Sequence, residues 1–235
     1  MSGINNNNNV QKNRRAGNPC VSLGAPSFSL LKCGAEMMKR AIDLLIAILL
    51  LLPVGIVIAV CVALIRLQSP GPGIFRQARI GRNGAVFTCL KLRTMHDGTE
   101  EVPSHETPPS AVTPLGAVLR HHKLDELPQI WNVLAGEMSF VGPRPSLTTQ
   151  TDVIEARRRR GVLALRPGIT GPAQVLGIDM SEPGRLAEED AKYIGNSGFI
   201  EDLRLMLATA LGAGRGDRTT DAAPSGKTNR SGRAD

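Results

Sequence analysis

The stretch LLIAILLLLPVGIVIAVCVALI, from Leu44 to Ile65, contains 22 consecutive residues and no charged or strongly polar side chain. As an α-helix it measures about 33 Å, which is enough to cross the hydrocarbon core of a bilayer. It is longer than the apolar region of a signal peptide and begins more than forty residues into the sequence. The stretch predicts membrane association, and hydropathy alone favours an ordinary single-span anchor.

Two features favour another topology, in which the helix enters the membrane and returns to the same face. Pro53 lies near the middle of the apolar run, where it removes a backbone hydrogen bond and kinks a helix. Lys39 and Arg40 precede the run and Arg66 follows it, whereas a spanning helix normally carries its basic excess on one side. Asp43 is costly so close to hydrocarbon and is expected to pair with Lys39 or Arg40. The residues alone leave both topologies open.

The charge distribution indicates a phosphate site more than a nucleic-acid groove. The 235-residue chain has a net charge of +7, which is typical of partners that are anionic. From Arg66 to Arg93 there are six basic residues and no acidic one, and from Thr94 to Pro143 there are two basic and seven acidic residues. The aromatic residues, 5 Phe, 1 Tyr and 1 Trp, are too few for a base-stacking surface. No nucleic-acid partner is predicted.

The cysteines predict neither a disulfide framework nor a zinc centre. The chain has 4 cysteines, none in a C-x-x-C pair and none in a paired Cys/His cluster. This usage is typical of a reducing compartment.

Outside the apolar run, the sequence divides into one folded domain and two polar ends. Residues 1–35 and 212–235 are of low complexity or rich in Gly, Pro and Ser, and are predicted to be disordered. We assign residues 36–67 to the membrane helix and residues 68–211 to one compact cytosolic domain.

The domain is predicted to combine a β-hairpin with short helices. IFRQARI and AVFTCLKL are strand-like runs, and the Asn83-Gly84 pair between them is typical of a hairpin turn. Apolar spacing predicts helices at Leu115–Leu124, Asp125–Leu134, Thr148–Leu165 and Phe199–Leu211. The fold class is therefore α+β, a helix-rich small domain with a β-hairpin.

Asp125 and Glu126 are the first candidates for chemistry. Adjacent acidic residues at a predicted helix start commonly cap the helix. Two carboxylates there can also share a magnesium ion, which takes a few oxygens plus substrate phosphates. Either carboxylate could instead attack phosphorus in a covalent phosphoryl transfer.

Several cations could bind the phosphate that such chemistry needs. An arginine fixed in a rigid turn suits bidentate phosphate binding, although each basic residue taken alone is more typical of a solvated surface charge. The candidates are Lys91, Arg93, Arg120, Arg144 and Arg166. The run Arg157–Arg160 is expected to be solvated or to face lipid headgroups.

Together these motifs resemble the bacterial sugar transferase family, the monotopic phosphoglycosyl transferases. The resemblance extends from about Met38 to Leu211. Its matching stretches are Lys39–Asp43, Ser69–Met95, Leu119–Pro145 (LRHHKLDELPQIWNVLAGEMSFVGPRP), Arg166–Val175 (RPGITGPAQV) and Asp190–Ser197.

The resemblance implies a reaction and a role for each matched residue. Asp125 would be the nucleophile that attacks the sugar-bearing phosphate of a UDP-sugar and releases UMP, and Glu126 would be the Mg²⁺ ligand. Undecaprenyl phosphate would then take the phosphosugar, giving undecaprenyl-diphosphate-sugar at the start of glycan or exopolysaccharide assembly. The substrate-side residues of the family fall on Lys91, Arg120 and Arg144, and less directly on Arg166 and Asp202. Arg93 is a substrate-binding candidate from its place beside Lys91 at the end of the second predicted strand.

The resemblance also implies a location in the cell. It favours a re-entrant membrane helix that turns at Pro53, with amphipathic helices at the interface. The catalytic domain would lie on the cytoplasmic face of the bacterial inner membrane. A membrane-anchored, non-catalytic family member is the alternative. The motifs select no particular sugar, pathway or oligomeric state.

Overall fold

The structure is a computed structural model that describes residues 26–96, 98–99 and 109–214. Most of the two ends predicted to be disordered, residues 1–25 and 215–235, lie outside the described residues. The elements in chain order are α1 Pro26–Gln68, β1 Ile74–Ile80, β2 Val86–Leu92, α2 Pro114–His121, α3 Gln129–Ala135, β3 Ser139–Val141, α4 Thr151–Arg159, β4 Gly168–Thr170, α5 Pro172–Val175, α6 Pro183–Asn196 and α7 Phe199–Ala210. The α+β class is confirmed.

The predicted hairpin is confirmed. Strands β1 and β2 pair antiparallel, with Ile74 opposite Leu92 and Ile80 opposite Val86. Asn83 and Gly84 have φ values of 57° and 77° in the turn between them, a conformation that asparagine and glycine adopt at the lowest cost. This register places Lys91 opposite Phe75, near the end of β2 that leads into the functional site.

Helix α1 runs without interruption through Pro53, so the predicted helix break is not confirmed. By length and composition, the part of α1 from Gly34 to Gln68 is apolar enough to cross a membrane. One face of this helix packs on the domain. Ala47 lies in a core cluster with Val133, Ile65 lies in a second cluster with Leu92, and Val54 contacts both clusters.

The opposite face of α1 presents apolar side chains to the surroundings of the protein. Leu45, Leu49, Leu52 and Ile56 are each more than half exposed. A soluble protein rarely exposes so large an apolar patch, which is the expected surface of a helix in contact with lipid.

Polar contacts join the first part of α1 to the same domain. The Lys39 Nζ lies 2.5 Å from Asp202 Oδ2, and Arg40 donates to the carbonyls of Val133 and Leu134. Asp43 accepts a hydrogen bond from the Phe140 backbone N–H at 3.3 Å. The expected pairing of Asp43 with Lys39 or Arg40 was therefore wrong, because backbone groups and a distant carboxylate are better placed.

A second small sheet was not predicted. Strands β3 and β4 pair in parallel, which brings the Gly142–Pro145 segment against the Arg166–Gly171 segment. A Cβ atom on Gly142 would lie 2.3 Å from the Arg166 carbonyl oxygen, and one on Gly168 would lie 2.1 Å from the Gly142 nitrogen. Only glycine permits this backbone approach, since a side chain at either position would displace backbone.

Helices α4 and α6 correct the prediction for the arginine run. Arg157 is buried and its Nη2 lies 2.7 Å from Asp190 Oδ2, while Arg158 and Arg159 are exposed and pair with Glu155. The expectation of a solvated run was therefore wrong for Arg157. Helix α6, which carries Asp190, was not predicted as a helix, and α4 ends at Arg159 rather than Leu165.

Candidate active site

Asp125 and Glu126 lie on a tight 3₁₀ turn, Leu124–Glu126, and not at the start of an α-helix. Lys123 precedes this turn with a φ of 55°, in the left-handed region that a non-glycine residue enters only at a cost. Helix α3 begins at Gln129, so the predicted helix start at Asp125 was wrong. The two carboxylates belong to a constrained connection between α2 and α3.

Apolar and polar contacts hold this turn from both sides. Leu124 and Leu127 pack into the cluster that contains Ile58 and Ile65 of α1. On the other side, Asn132 of α3 accepts from the Leu90 N–H at 3.1 Å and donates to the Thr88 carbonyl at 2.7 Å. This amide locks α3 to β2, so Lys91 lies beside the dyad.

Glu126 is the centre of the charge cluster. Its Oε1 lies 3.2 Å from Lys91 Nζ and 2.9 Å from Arg144 Nη2, and its side chain is 11% exposed. Burial by itself would raise the pKa of Glu126, but Arg144 and Lys91 outweigh it and lower that pKa to about 2. Both cations bind the same oxygen, and Glu126 is ionised at any physiological pH.

Asp125 has a different environment although it is the adjacent residue. Within the described residues, its buried carboxylate has no hydrogen bond or ion pair. Burial, assisted by the Glu126 anion and opposed by Lys91 and Arg144, raises the pKa of Asp125 to about 6. At neutral pH, Asp125 is therefore an ionised, unpaired and comparatively basic carboxylate, which is the state a nucleophile needs.

Arg120 supplies a further donor near Asp125. Its Nε donates to Thr94 Oγ1 at 2.9 Å, while its Nη1 is buried and has no partner among the described residues. Its charge acts to lower the pKa of Asp125, which places the two groups within electrostatic reach. A buried guanidinium nitrogen without a partner is costly, and a phosphate oxygen would satisfy it.

A narrow cleft opens beside this cluster. Its lining includes Lys91, Glu126 and Arg144, as predicted, and also Arg79, Cys89 and Gln129, which were not predicted. Gln77 and Arg79 are two residues apart on β1, so their side chains lie on the same face of the strand, and both are buried. That period-two alternation of polar residues was the available sequence signal.

Three predicted substrate residues lie in structural contacts and are not brought to the carboxylates. Arg93 donates to the carbonyls of Pro70 and Ser69 and to Ser69 Oγ. The Arg166 Nε donates to the Gly136 carbonyl at 3.1 Å. Asp202 pairs with Lys39 and accepts a hydrogen bond from the Tyr193 hydroxyl. The substrate role of the three residues stays a prediction.

The described residues hold no group of three or more His, Cys, Asp or Glu side chains that could bind a metal ion. A magnesium ion needs fewer protein ligands, because it binds through one or two carboxylates together with substrate phosphates. Glu126 Oε2 and the Asp125 carboxylate are compatible with that donor set.

Comparison with known proteins identifies the family of the chain. Residues 34–215 match the model of the family described as "Bacterial sugar transferase". The chain belongs to the bacterial sugar transferase family. The resemblance inferred from the motifs is thereby confirmed.

Named relatives of this sugar transferase come from several bacteria. The chain is 39% identical over 194 residues to the UDP-glucose:undecaprenyl-phosphate glucose-1-phosphate transferase of Caulobacter vibrioides. The match covers 78% of this chain and 72% of that protein. The chain is 36% identical over 211 residues to the exopolysaccharide production protein ExoY of Rhizobium meliloti, covering 80% and 92%. The Escherichia coli protein with the same name as the Caulobacter relative is 36% identical over 188 residues, covering 75% and 40%.

In the magnesium-free sugar transferase, we expect the Asp125 carboxyl to titrate with a midpoint near pH 6. The measurement is ¹³C NMR of protein labelled at aspartate side chains, with Asp125→Asn identifying the resonance. In Glu126→Gln the midpoint should fall, because Lys91 and Arg144 then act on Asp125 without the opposing anion. A wild-type midpoint at the ordinary value of about 4 would contradict the description of this site.

Proposed function

We propose that this protein transfers a sugar-1-phosphate from a UDP-sugar to undecaprenyl phosphate, producing undecaprenyl-diphosphate-sugar and UMP. The observation that carries the proposal is the contrast between Asp125, ionised and unpaired, and Glu126, held by two cations. The names of the Caulobacter and Escherichia relatives support the same donor and acceptor classes. The exposed apolar face of α1 supports an acceptor that resides in the membrane.

The first step is an attack by a carboxylate oxygen of Asp125 on the phosphorus that bears the sugar. A bond forms between that oxygen and phosphorus, and the bond from phosphorus to the bridging oxygen breaks. UMP leaves with that oxygen and its electron pair, and an aspartyl-phosphosugar remains. Arg144, Lys91 and the unpartnered Arg120 Nη1 supply positive charge for the phosphate oxygens in the transition state.

The second step regenerates the enzyme. A phosphate oxygen of undecaprenyl phosphate attacks the same phosphorus, and the bond from phosphorus to the Asp125 oxygen breaks. The phosphosugar becomes part of a diphosphate and Asp125 returns to its carboxylate form. No proton transfer to Asp125 is required, because it enters and leaves the cycle ionised.

We further propose that Glu126, together with Asp125 and the donor phosphates, holds a magnesium ion. Glu126 fits this role because it is a buried, ionised carboxylate with two oxygens, and Lys91 and Arg144 contact its Oε1. When bound, Mg²⁺ would neutralise charge on the diphosphate and favour departure of UMP.

For the membrane segment we propose the re-entrant topology, with the catalytic domain on the cytoplasmic face of the inner membrane. Lys39 and Ile65 both contact the same domain, through Asp202 and Leu92. A straight helix would separate these two residues by about 39 Å, more than the hydrocarbon thickness of about 30 Å. The uninterrupted helix lies along the domain and contacts it at Ala47, Val54 and Ile65, which supports placing both ends of the apolar run on one side of the membrane. The turn at Pro53 is the further part of this proposal.

Asp125→Asn should reduce UMP release by about 10³-fold or more, because the amide cannot form the covalent intermediate. The assay uses detergent-purified protein, Mg²⁺, undecaprenyl phosphate and a panel of UDP-glucose, UDP-galactose and N-acetylated UDP-sugars. Asp152→Asn, at an exposed carboxylate on α4, is the matched control and should keep wild-type turnover. Wild-type turnover in Asp125→Asn would remove Asp125 as nucleophile, and a folded wild-type protein without turnover would indicate the non-catalytic alternative.

The topology predicts that both ends of the apolar run are shielded from the periplasm. Single cysteines at Met38 and Leu67, which are 61% and 85% exposed, are introduced into a variant without other cysteines. In intact cells, a membrane-impermeant maleimide should label neither position until the inner membrane is permeabilised. Labelling of one end alone in intact cells would instead establish a spanning anchor.

A further inference from the structure

The segment that carries Arg144 is fixed through its carbonyl groups. Pro143 and Pro145 have no backbone N–H, so this segment can donate few backbone hydrogen bonds. Its carbonyl groups accept hydrogen bonds instead. The Pro143 carbonyl accepts from the Gly168 N–H at 3.0 Å, and the Ser146 carbonyl accepts from the Ile80 N–H at 2.9 Å. These two backbone bonds attach the segment to β4 and β1.

The two carbonyls between them accept from buried arginines. Arg157 Nη1 donates to the Arg144 carbonyl at 2.6 Å, and Arg79 Nη1 donates to the Pro145 carbonyl at 3.0 Å. Both arginines are at least nine-tenths buried. The backbone of Arg144 is therefore held by a side chain from α4, while its own guanidinium reaches Glu126.

Asp190 keeps Arg157 in place. Its Oδ2 accepts from Arg157 Nε at 3.0 Å and from Nη2 at 2.7 Å, and the two side chains are 3% and 1% exposed. A buried ion pair contributes little net stability, because desolvation of both charges offsets their attraction. Because Asp190 holds Nε and Nη2 of Arg157, the remaining nitrogen, Nη1, points at the Arg144 carbonyl.

We propose that Arg157, oriented by Asp190, is a positioning residue for Arg144 in the transfer reaction. The inference rests on the proposed function, since it assigns Arg144 to the donor phosphates. Arg157 lies behind the segment and acts through the backbone of Arg144. Because the flanking prolines restrict φ, a shift of this carbonyl moves the guanidinium, and a displacement of about 1 Å can cost up to about 100-fold in rate.

The test separates positioning from folding with a charge-free replacement of the pair. Arg157→Met alone leaves Asp190 buried and unpaired, so its unfolding temperature should fall. Arg157→Met/Asp190→Val removes both charges and should recover most of that temperature. We expect kcat/KM for UMP release to remain about tenfold or more below wild type in the double variant, because the Arg144 carbonyl has still lost its donor. Arg158→Met, at the exposed neighbour, is the control and should match wild type.

The second measurement repeats the replacement in an Arg144→Ala background. If Arg157 acts through Arg144, the Arg157→Met/Asp190→Val replacement causes no further loss of kcat/KM in the Arg144→Ala background. A merely structural effect would lower kcat/KM in that background as well. Recovery of full turnover in the double variant, or a full additional loss in the Arg144→Ala background, would overturn the proposal. Unimpaired turnover in Arg144→Ala would overturn the role of Arg144 and therefore also the positioning role of Arg157. Absence of UMP release from the folded wild-type protein would overturn the proposed function itself.

Discussion

One interaction connects the parts of this site: the shared contact of Lys91 and Arg144 with Glu126 Oε1. Lys91 comes from the hairpin, Glu126 from the turn before α3, and Arg144 from the segment between β3 and α4. Lys91, Arg144 and Arg120 all act on the neighbouring Asp125, so three cations face the two carboxylates, and in a buried site such an excess favours an anionic group. A phosphate at this position would compensate the charge, so the interaction that assembles the site also prepares it for its substrate.

The same interaction separates the roles of two adjacent carboxylates. Glu126 takes both cations and its pKa falls to about 2, whereas Asp125 is buried beside an anion and its pKa rises to about 6. The different surroundings of Asp125 and Glu126 thus give two adjacent carboxylates different pKa values, as in other enzymes that use paired carboxylates. Leu127 packs into the cluster that includes Ile65, so the turn that carries the dyad is also attached to the membrane helix. A water-soluble donor and a lipid acceptor can therefore reach one site.

Local patterns predicted the local parts of this structure, and distant pairings account for what they missed. The Asn83-Gly84 turn and the dyad with Lys91, Arg120 and Arg144 could be predicted, because each has a turn signal or a motif within a short stretch. Strands β3 and β4 have three residues each, too few for a period to show. Arg157 appeared solvated because its run is basic, and its partner Asp190 lies 33 residues away on a helix that was not predicted. The contacts of Arg93, Arg166 and Asp202 with Ser69, Gly136 and Lys39 likewise join distant parts of the chain, and only the fold determines them.

The central claim is that Asp125 carries the phosphosugar between donor and acceptor. The most direct measurement is mass spectrometry of the intact protein after incubation with a turned-over UDP-sugar and Mg²⁺ in the absence of undecaprenyl phosphate, followed by peptide mapping. We expect a mass increase of one phosphosugar, located on Asp125 and lost when undecaprenyl phosphate is added. An adduct on another residue, or an unmodified protein that still forms undecaprenyl-diphosphate-sugar when the acceptor is supplied, would contradict it.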